Sequence, residues 1–266
     1  MYKKNFTLIL LMILLPATFA QSDLDSQIIN VNLKGDVELE FQSSQSRVDY
    51  FTADLRLFPK NSYREDLIEF NLKHNPSASV VMKNNIEYEW DKDVTSLSFG
   101  YDAKVKVWNR IFQIPRDIPL SNLILLKEHE KYVKETELVD IDNNIREQSI
   151  KITDGSTDLY DAVFKLAEWT RTNVKYDLNT LTEEATQKSS WVLENKIGVC
   201  DEITNLFVSF LRSMNIPVRY VVGIAYSDAV SGGWAPHAWA EVYFQGYGWI
   251  PWDVTFGQYG WVDTGH

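Results

Sequence analysis

The chain has 266 residues, a net charge of −11, 13% aromatic residues and one cysteine. An acidic chain without a basic stripe does not read as a nucleic-acid binder, nor as one drawn to an anionic membrane surface. A lone cysteine rules out an intramolecular disulfide and raises the question of what a free thiol is for.

Met1-Tyr2-Lys3-Lys4 opens the chain, the stretch from Phe6 to Leu15 is almost wholly apolar, and Pro16-Ala17-Thr18-Phe19-Ala20 precedes polar Gln21-Ser22-Asp23. A basic start, a short apolar run and a small-residue site form a signal peptide. The run is too short for a comfortable membrane span of ~20 residues. Cleavage is expected after Ala20, with export to the periplasm, cell surface or medium; an uncleaved N-terminal anchor is the lesser alternative. Loss of Lys3 and Lys4 takes the charge to −13. No membrane insertion beyond this segment is expected. The remaining chain, about 245 residues, suits two modest domains.

Residues 21–115 read as an antiparallel β-sandwich. Strands are expected at Ile28–Leu33, Val37–Phe41, Val48–Phe58, Leu67–Leu72, Val80–Met82, Ile86–Trp90 and Leu97–Trp108. Turn signals Lys34-Gly35-Asp36, Asn75-Pro76-Ser77 and Lys83-Asn84-Asn85 separate several of them. His74 reads as a turn residue. Pro115 and Pro119 mark a boundary, and residues 116–139 read as a connector. The mixed-charge run Lys127-Glu128-His129-Glu130-Lys131 is expected to be solvated.

Residues 140–266 read as an α+β domain. Ile141, Ile145 and Ile152 space a short helix. Ser156 or Thr157 is expected to cap the next one, whose apolar positions run from Leu159 to Ala167 and which ends near Asn173. A loop over 177–188 leads to a helical turn at 189–196. After Gly198-Val199-Cys200-Asp201-Glu202, apolar residues at 203, 206, 207, 210, 211 and 214 space an amphipathic helix with one buried face. Gly198 can supply the turn before it. Cys200 then sits in the first helical turn, where unpaired N–H groups and the helix dipole favour a thiolate. Asp201 and Glu202 read as solvated or structural. Val218–Tyr226 is strand-like, and Asp228 to Pro236 a flexible, glycine-bearing loop. Two further strands, from His237 and from Trp249, flank the turn Gln245-Gly246-Tyr247-Gly248. As antiparallel neighbours they bring His237 and Asp253 together, and a helix packed across them can bring Cys200 to the imidazole. Nucleophile, base and orienting carboxylate in that order make a thiol triad. The end, from Gly260 to His266, is apolar and aromatic, and reads as a fragment or a close-cut terminus.

These pieces resemble the transglutaminase-like superfamily, relatives of papain-type cysteine proteases. The resemblance is carried by Gly198-Val199-Cys200-Asp201-Glu202, by the run Leu211 to Gly223, by His237-Ala238-Trp239-Ala240-Glu241-Val242 and by Gly248-Trp249-Ile250-Pro251-Trp252-Asp253-Val254-Thr255. It covers residues 140–266. It implies a helix bearing the nucleophile against an antiparallel sheet bearing His and Asp, and acyl transfer through a thioester. Lys196 stands where the family often has glycine, and the stretch past Asp253 is short, so late strands of the domain could be missing.

The expected chemistry is attack of Cys200 on a peptide or carboxamide carbonyl, with His237 as base and then acid, and Asp253 fixing its tautomer. The Cys200 backbone N–H is one oxyanion donor. Trp191 is a weak candidate for the second, and more simply a packing aromatic. Trp239 and Trp252 are candidates for a substrate cleft; with Trp249, they otherwise serve as core. Each triad residue has a plainer use: Cys200 as a small buried hydrophobe, His237 as a satisfied core histidine, Asp253 as the partner of Arg219. The expected partner is a protein or peptide substrate. No cofactor is expected, and no metal, because four scattered histidines and one cysteine make no zinc spacing. The rival class is an exported binding or assembly module with a silent triad. An amidase or deamidation reaction on the same residues is a second enzymatic rival.

Overall fold

The computed structural model describes residues 25–266 except 42, 44, 92–93, 115–117, 181–185 and 230–231. The signal segment and Pro115 therefore lie outside the described residues. Among the described residues, no helix is long and apolar enough to cross a membrane.

The N-terminal part is a sandwich of two three-stranded antiparallel sheets. One holds β1 (Ser26–Glu38), β6 (Ser96–Trp108) and β3 (Glu65–Asn75); the other holds β2 (Phe51–Leu55), β5 (Ile86–Trp90) and β4 (Ser79–Met82). On β5, Ile86, Tyr88 and Trp90 point inward while Glu87 and Glu89 point out, the alternation of a half-wetted sheet. Tyr88 and Trp90 meet their polar needs by donating to the carbonyls of Gly100 and Pro76.

Two expectations fail here. The Lys34-Gly35-Asp36 turn does not form: β1 runs unbroken through it, paired with β6 from Ser26↔Trp108 to Glu38↔Ser96. Gly35 serves close packing instead, since a Cβ there would stand 2.8 Å from the Phe99 ring. The strand read over 48–58 shrinks to Phe51–Leu55, although Phe58 beyond it is still buried.

The charged run is solvated at Lys127, Glu128, Glu130 and Lys131. Elsewhere in the connector Ile118, Leu120 and Leu123 pack against the second core, as do Phe112 and Ile114 just before it. The charged run forms a 3₁₀ turn, Lys127–Val133, that turns His129 and Tyr132 to one side. His129 is buried, its ring 4.0 Å from Tyr243 and 5.2 Å from Trp249. Flanking charges hid this three-residue spacing.

The second domain is built round one helix. α1 (Asn143–Ile152), α2 (Leu159–Asn173) and α3 (Ser189–Asn195) pack on one side of α4 (Cys200–Ser213). Between α2 and α4, β7 (Lys175–Tyr176) and β8 (Ile197–Gly198) form a parallel pair. On the other side of α4 lies an antiparallel sheet in the order β12 (Gln258–Tyr259), β11 (Gly248–Asp253), β10 (Trp234–Phe244), β9 (Val218–Tyr226). The cap of α2 is Asp158, whose carboxylate accepts from the Asp161 N–H, rather than Ser156 or Thr157. The loop expected up to Pro236 ends early, because β10 begins at Trp234.

α4 exceeds the expected amphipathic helix. Every residue from Glu202 to Arg212 is buried, polar ones included. The polar face is answered by protein instead of water: Thr204 donates to Ala238, Ser209 to Asp140, and Arg212 to Lys134 and Val218, all at carbonyls. Lys196, at the glycine position of the resemblance, adopts φ 58° as the left-handed cap of α3, the conformation for which glycine is preferred.

Trp252 is part of this core. It has no solvent exposure and stacks on Phe244 and Tyr259. That corrects its reading as cleft wall: an inward position on the middle of the sheet leaves it no open side. Truncation Trp252→Ala should cost about 3–5 kcal/mol of unfolding free energy, read by urea denaturation, whereas the same change at half-exposed Tyr247 should cost under ~1 kcal/mol.

Candidate active site

Gly198 does not turn the chain before the cysteine; it lets Glu202 come close. A Cβ at Gly198 would stand 2.8 Å from the Glu202 Cβ. Glu202 is itself buried and accepts from the Val199 N–H at 2.8 Å, the Thr180 hydroxyl at 3.0 Å and the Gln187 N–H at 3.1 Å. One carboxylate thus ties the first turn of α4 to the two segments beside it, and its reading as structural holds. Asp201 accepts from the Thr186 hydroxyl at 2.6 Å. Cys200 opens the helix and is partly exposed.

The opposing wall comes from β10 and β11, registered Ala240↔Trp252 through Phe244↔Gly248. The Thr204 hydroxyl, one helical turn after Cys200, bonds the carbonyl next to His237 at 3.1 Å. This contact fixes helix against strand at the level of the site. His237 and Asp253 meet as the hairpin requires, with His237 Nε2 2.7 Å from Asp253 Oδ2. Both are buried, and the His237 ring stacks on Phe256 at 4.5 Å. Cys200 lies close enough to this imidazole to raise its proton affinity. Since Nε2 faces Asp253, Nδ1 is the nitrogen available to the thiol. The structure thus brings Cys200, His237 and Asp253 together. Arg219 pairs with Glu241 at 3.5 Å and lies over Trp249 at 3.9 Å, so it is not the partner of Asp253.

Burial alone would lower the proton affinity of His237. The hydrogen bonds and charges of Asp253 and Cys200 outweigh it and hold the imidazolium up to about 9. Burial would raise Asp253, but hydrogen bonds from His237 and His266, the His237 charge and the Phe256 N–H keep it below the usual carboxylate value.

One member was missed in the sequence. His266 is fully buried, with Nε2 2.9 Å from the same Asp253 oxygen and Nδ1 3.1 Å from Asp263 Oδ1. No motif marks it; the only signal was an apolar tail that buries itself. Two of the four histidines expected to be scattered thus converge on Asp253. His237, Asp253 and His266 offer donor atoms within 4.8 Å of one another, the one such group among the described residues with metal-ligand chemistry. Both imidazoles already spend Nε2 on the carboxylate.

Trp239 lines a cleft of about 500 Å³ with His266, Val222 and Pro236 from this domain and Phe58 and Tyr101 from the sandwich. Trp191 does not join the site: it packs on the core from α3 and lines a separate groove with Asp142, Asn144 and Glu147.

Residues 146–254 match the family model of the Transglutaminase-like superfamily. Residues 146–254, with their helix-on-sheet fold around Cys200, are thus similar to a transglutaminase-like core. The chain is 27% identical over 128 residues to the uncharacterized protein YebA of Bacillus subtilis (strain 168); the aligned part is 42% of this chain but only 17% of YebA. Among solved structures, a protein of Cytophaga hutchinsonii provisionally described as a cysteine protease superposes with a TM-score of 0.62 and 17% identity, covering 89% of this chain and 82% of that one. The sandwich-plus-core fold therefore recurs as a unit. The periplasmic domain of TgpA from Pseudomonas aeruginosa aligns with a TM-score of 0.40 and 16% identity over 84% of this chain and 77% of that one, too distant to carry an argument.

The histidine sets a pH dependence. Its folded value lies above the unfolded ~6.5, so its contribution to stability is complete below about 6.5 and is lost as pH rises through about 9. Urea unfolding of wild type and His237→Gln should show a wild-type advantage at pH 6 that disappears by pH 10; curves that stay parallel across this range would contradict the assignment.

Proposed function

We propose that this protein is an exported thiol enzyme that cleaves or transfers acyl groups at peptide or carboxamide bonds through Cys200, His237 and Asp253. The observation that carries the reading is the buried His237–Asp253 pair at 2.7 Å, with Cys200 at the head of α4 and near enough to raise the proton affinity of that imidazole. Export rests on the N-terminal composition, a basic start followed by an apolar run and a small-residue site.

In this reading the Cys200 thiol passes its proton to His237 Nδ1, and the sulfur attacks the substrate carbonyl carbon. Asp253 accepts from Nε2–H and steadies the imidazolium. The tetrahedral oxyanion takes a hydrogen bond from the Cys200 N–H, which as the first of a helix has no intrahelical acceptor. Collapse breaks the C–N bond, the amine leaves with the proton from His237, and a thioester remains on Cys200. Water, or an amine on a second molecule, then loses a proton to His237 and attacks the thioester. The products are an acid or a new amide, and the thiol is regenerated. Hydrolysis and transfer share the acyl-enzyme and differ only in the acceptor. The Cytophaga hutchinsonii protein, described as a protease candidate, supports hydrolysis as the first activity to assay.

Alkylation of Cys200 by iodoacetamide should already be fast at pH 6, well below the free-thiol value of ~8.5. His237→Ala should slow it there by at least about tenfold. Slow alkylation with an ordinary pH profile, unchanged by His237→Ala, would favour the binding-module reading. On a cleaved amide, Cys200→Ala should remove activity, and Asp253→Asn should lower kcat by roughly 10²–10⁴-fold.

A further inference from the structure

His266 does no work in the mechanism just described, yet it is the second partner of its orienting carboxylate. Each of its ring nitrogens faces a carboxylate oxygen, Nε2 toward Asp253 and Nδ1 toward Asp263. Neither carboxylate is short of donors. Asp253 also accepts from His237 and the Phe256 N–H; Asp263 also accepts from Gln258 at 2.8 Å and the Gly265 N–H at 2.8 Å. Carboxylates so supplied are ionised and can only accept. Both nitrogens of His266 must then carry hydrogen, which makes the ring a cation. Its side chain has no solvent exposure, so no water is at hand to take either proton.

The segment bearing this ring is held by the other domain. Arg64, buried just before β3, donates to the carbonyls of Asp263 at 2.5 Å and Val262 at 3.4 Å. Thr264 donates to Gln27 of β1 at 3.0 Å. On the core side, the Tyr226 N–H donates to the Gly265 carbonyl at 2.8 Å. The β-sandwich therefore fixes where His266 sits, and His266 lies 5.4 Å, ring to ring, from His237.

We propose that His266 is a positioning residue: a cation clamped between Asp253 and Asp263, anchored by the β-sandwich through Arg64, that locks Asp253 for His237 and competes with His237 for its charge. The proposal deepens the thiol-enzyme reading and rests on it for its meaning, since His237 is the group affected. It gives the sandwich a direct line to the site. Displacing the 262–266 segment would free Asp253 to serve His237 alone. The charges acting on His266 are those of Asp253 and Asp263; Glu65, Arg56 and Lys60 of the sandwich line the same cleft and are untouched by the variants below.

The test is an NMR titration of the imidazole ring nitrogens in the full mature chain, which reads each histidine without requiring activity. In wild type at pH 8, His266 should carry protons on both nitrogens. Asp263→Asn, at a half-exposed side chain, should let it lose the Nδ1 proton at lower pH. His266→Gln keeps a donor for Asp253 but removes the cation; the titration midpoint of His237 should rise by about one pH unit, tenfold in its protonation ratio. A neutral His266 at pH 8 in wild type would overturn the proposal. So would an unmoved His237 midpoint in folded His266→Gln, for then the residue is only a structural pin. The Cys200 alkylation profile reports separately on the thiol-enzyme reading, so failure of one is told from failure of the other.

Discussion

An ionised carboxylate with no solvent exposure is the constraint from which the rest of the site follows. Asp253 sits at the end of β11, wholly out of water. Burying such a charge alone is prohibitive, and it persists only where donors replace the lost water. Here they are two imidazole N–H groups and one backbone N–H. The requirement runs outward from there. His237 must stay protonated at Nε2, which commits Nδ1 to Cys200. Phe256 must follow β11 in a turn that aims its N–H back at the carboxylate. His266 must be delivered from the tail, which in turn needs a surface to hold that tail.

That surface is the β-sandwich. The last residues run between the two domains, bonded to Arg64 and Gln27 on one side and to Tyr226 and Asp253 on the other. The N-terminal domain is therefore a structural neighbour of the site as well as an appendage. The interdomain cleft is lined by Trp239 and His266, whose rings lie 6.2 Å and 5.4 Å from the His237 ring.

Much of the site was legible because its signals are local. Apolar spacing after Cys200 marked α4, and a glycine-bearing turn between two aromatic strands marked the hairpin that joins His237 to Asp253. What was illegible depends on distant packing. Gly35 and Gly198 read as turns, and both turned out to make room for a neighbouring side chain, which no local pattern records. α4 read as half-exposed because Thr204, Ser209 and Arg212 look like a wet face; their partners are carbonyls far along the chain. Trp252 read as either core or cleft, and only the packing of Phe244 and Tyr259 around it decides for core. His266 lay 13 residues from its partner, outside any motif.

The most direct measurement is the intact mass of the mature chain, quenched in acid during reaction with an activated ester or a cleaved peptide amide, followed by peptide mapping. An acyl adduct on Cys200 is expected, appearing in wild type, decaying faster when an amine acceptor is added if transfer operates, and absent in His237→Ala. An unmodified Cys200 throughout turnover, or an adduct formed equally without His237, would contradict the account.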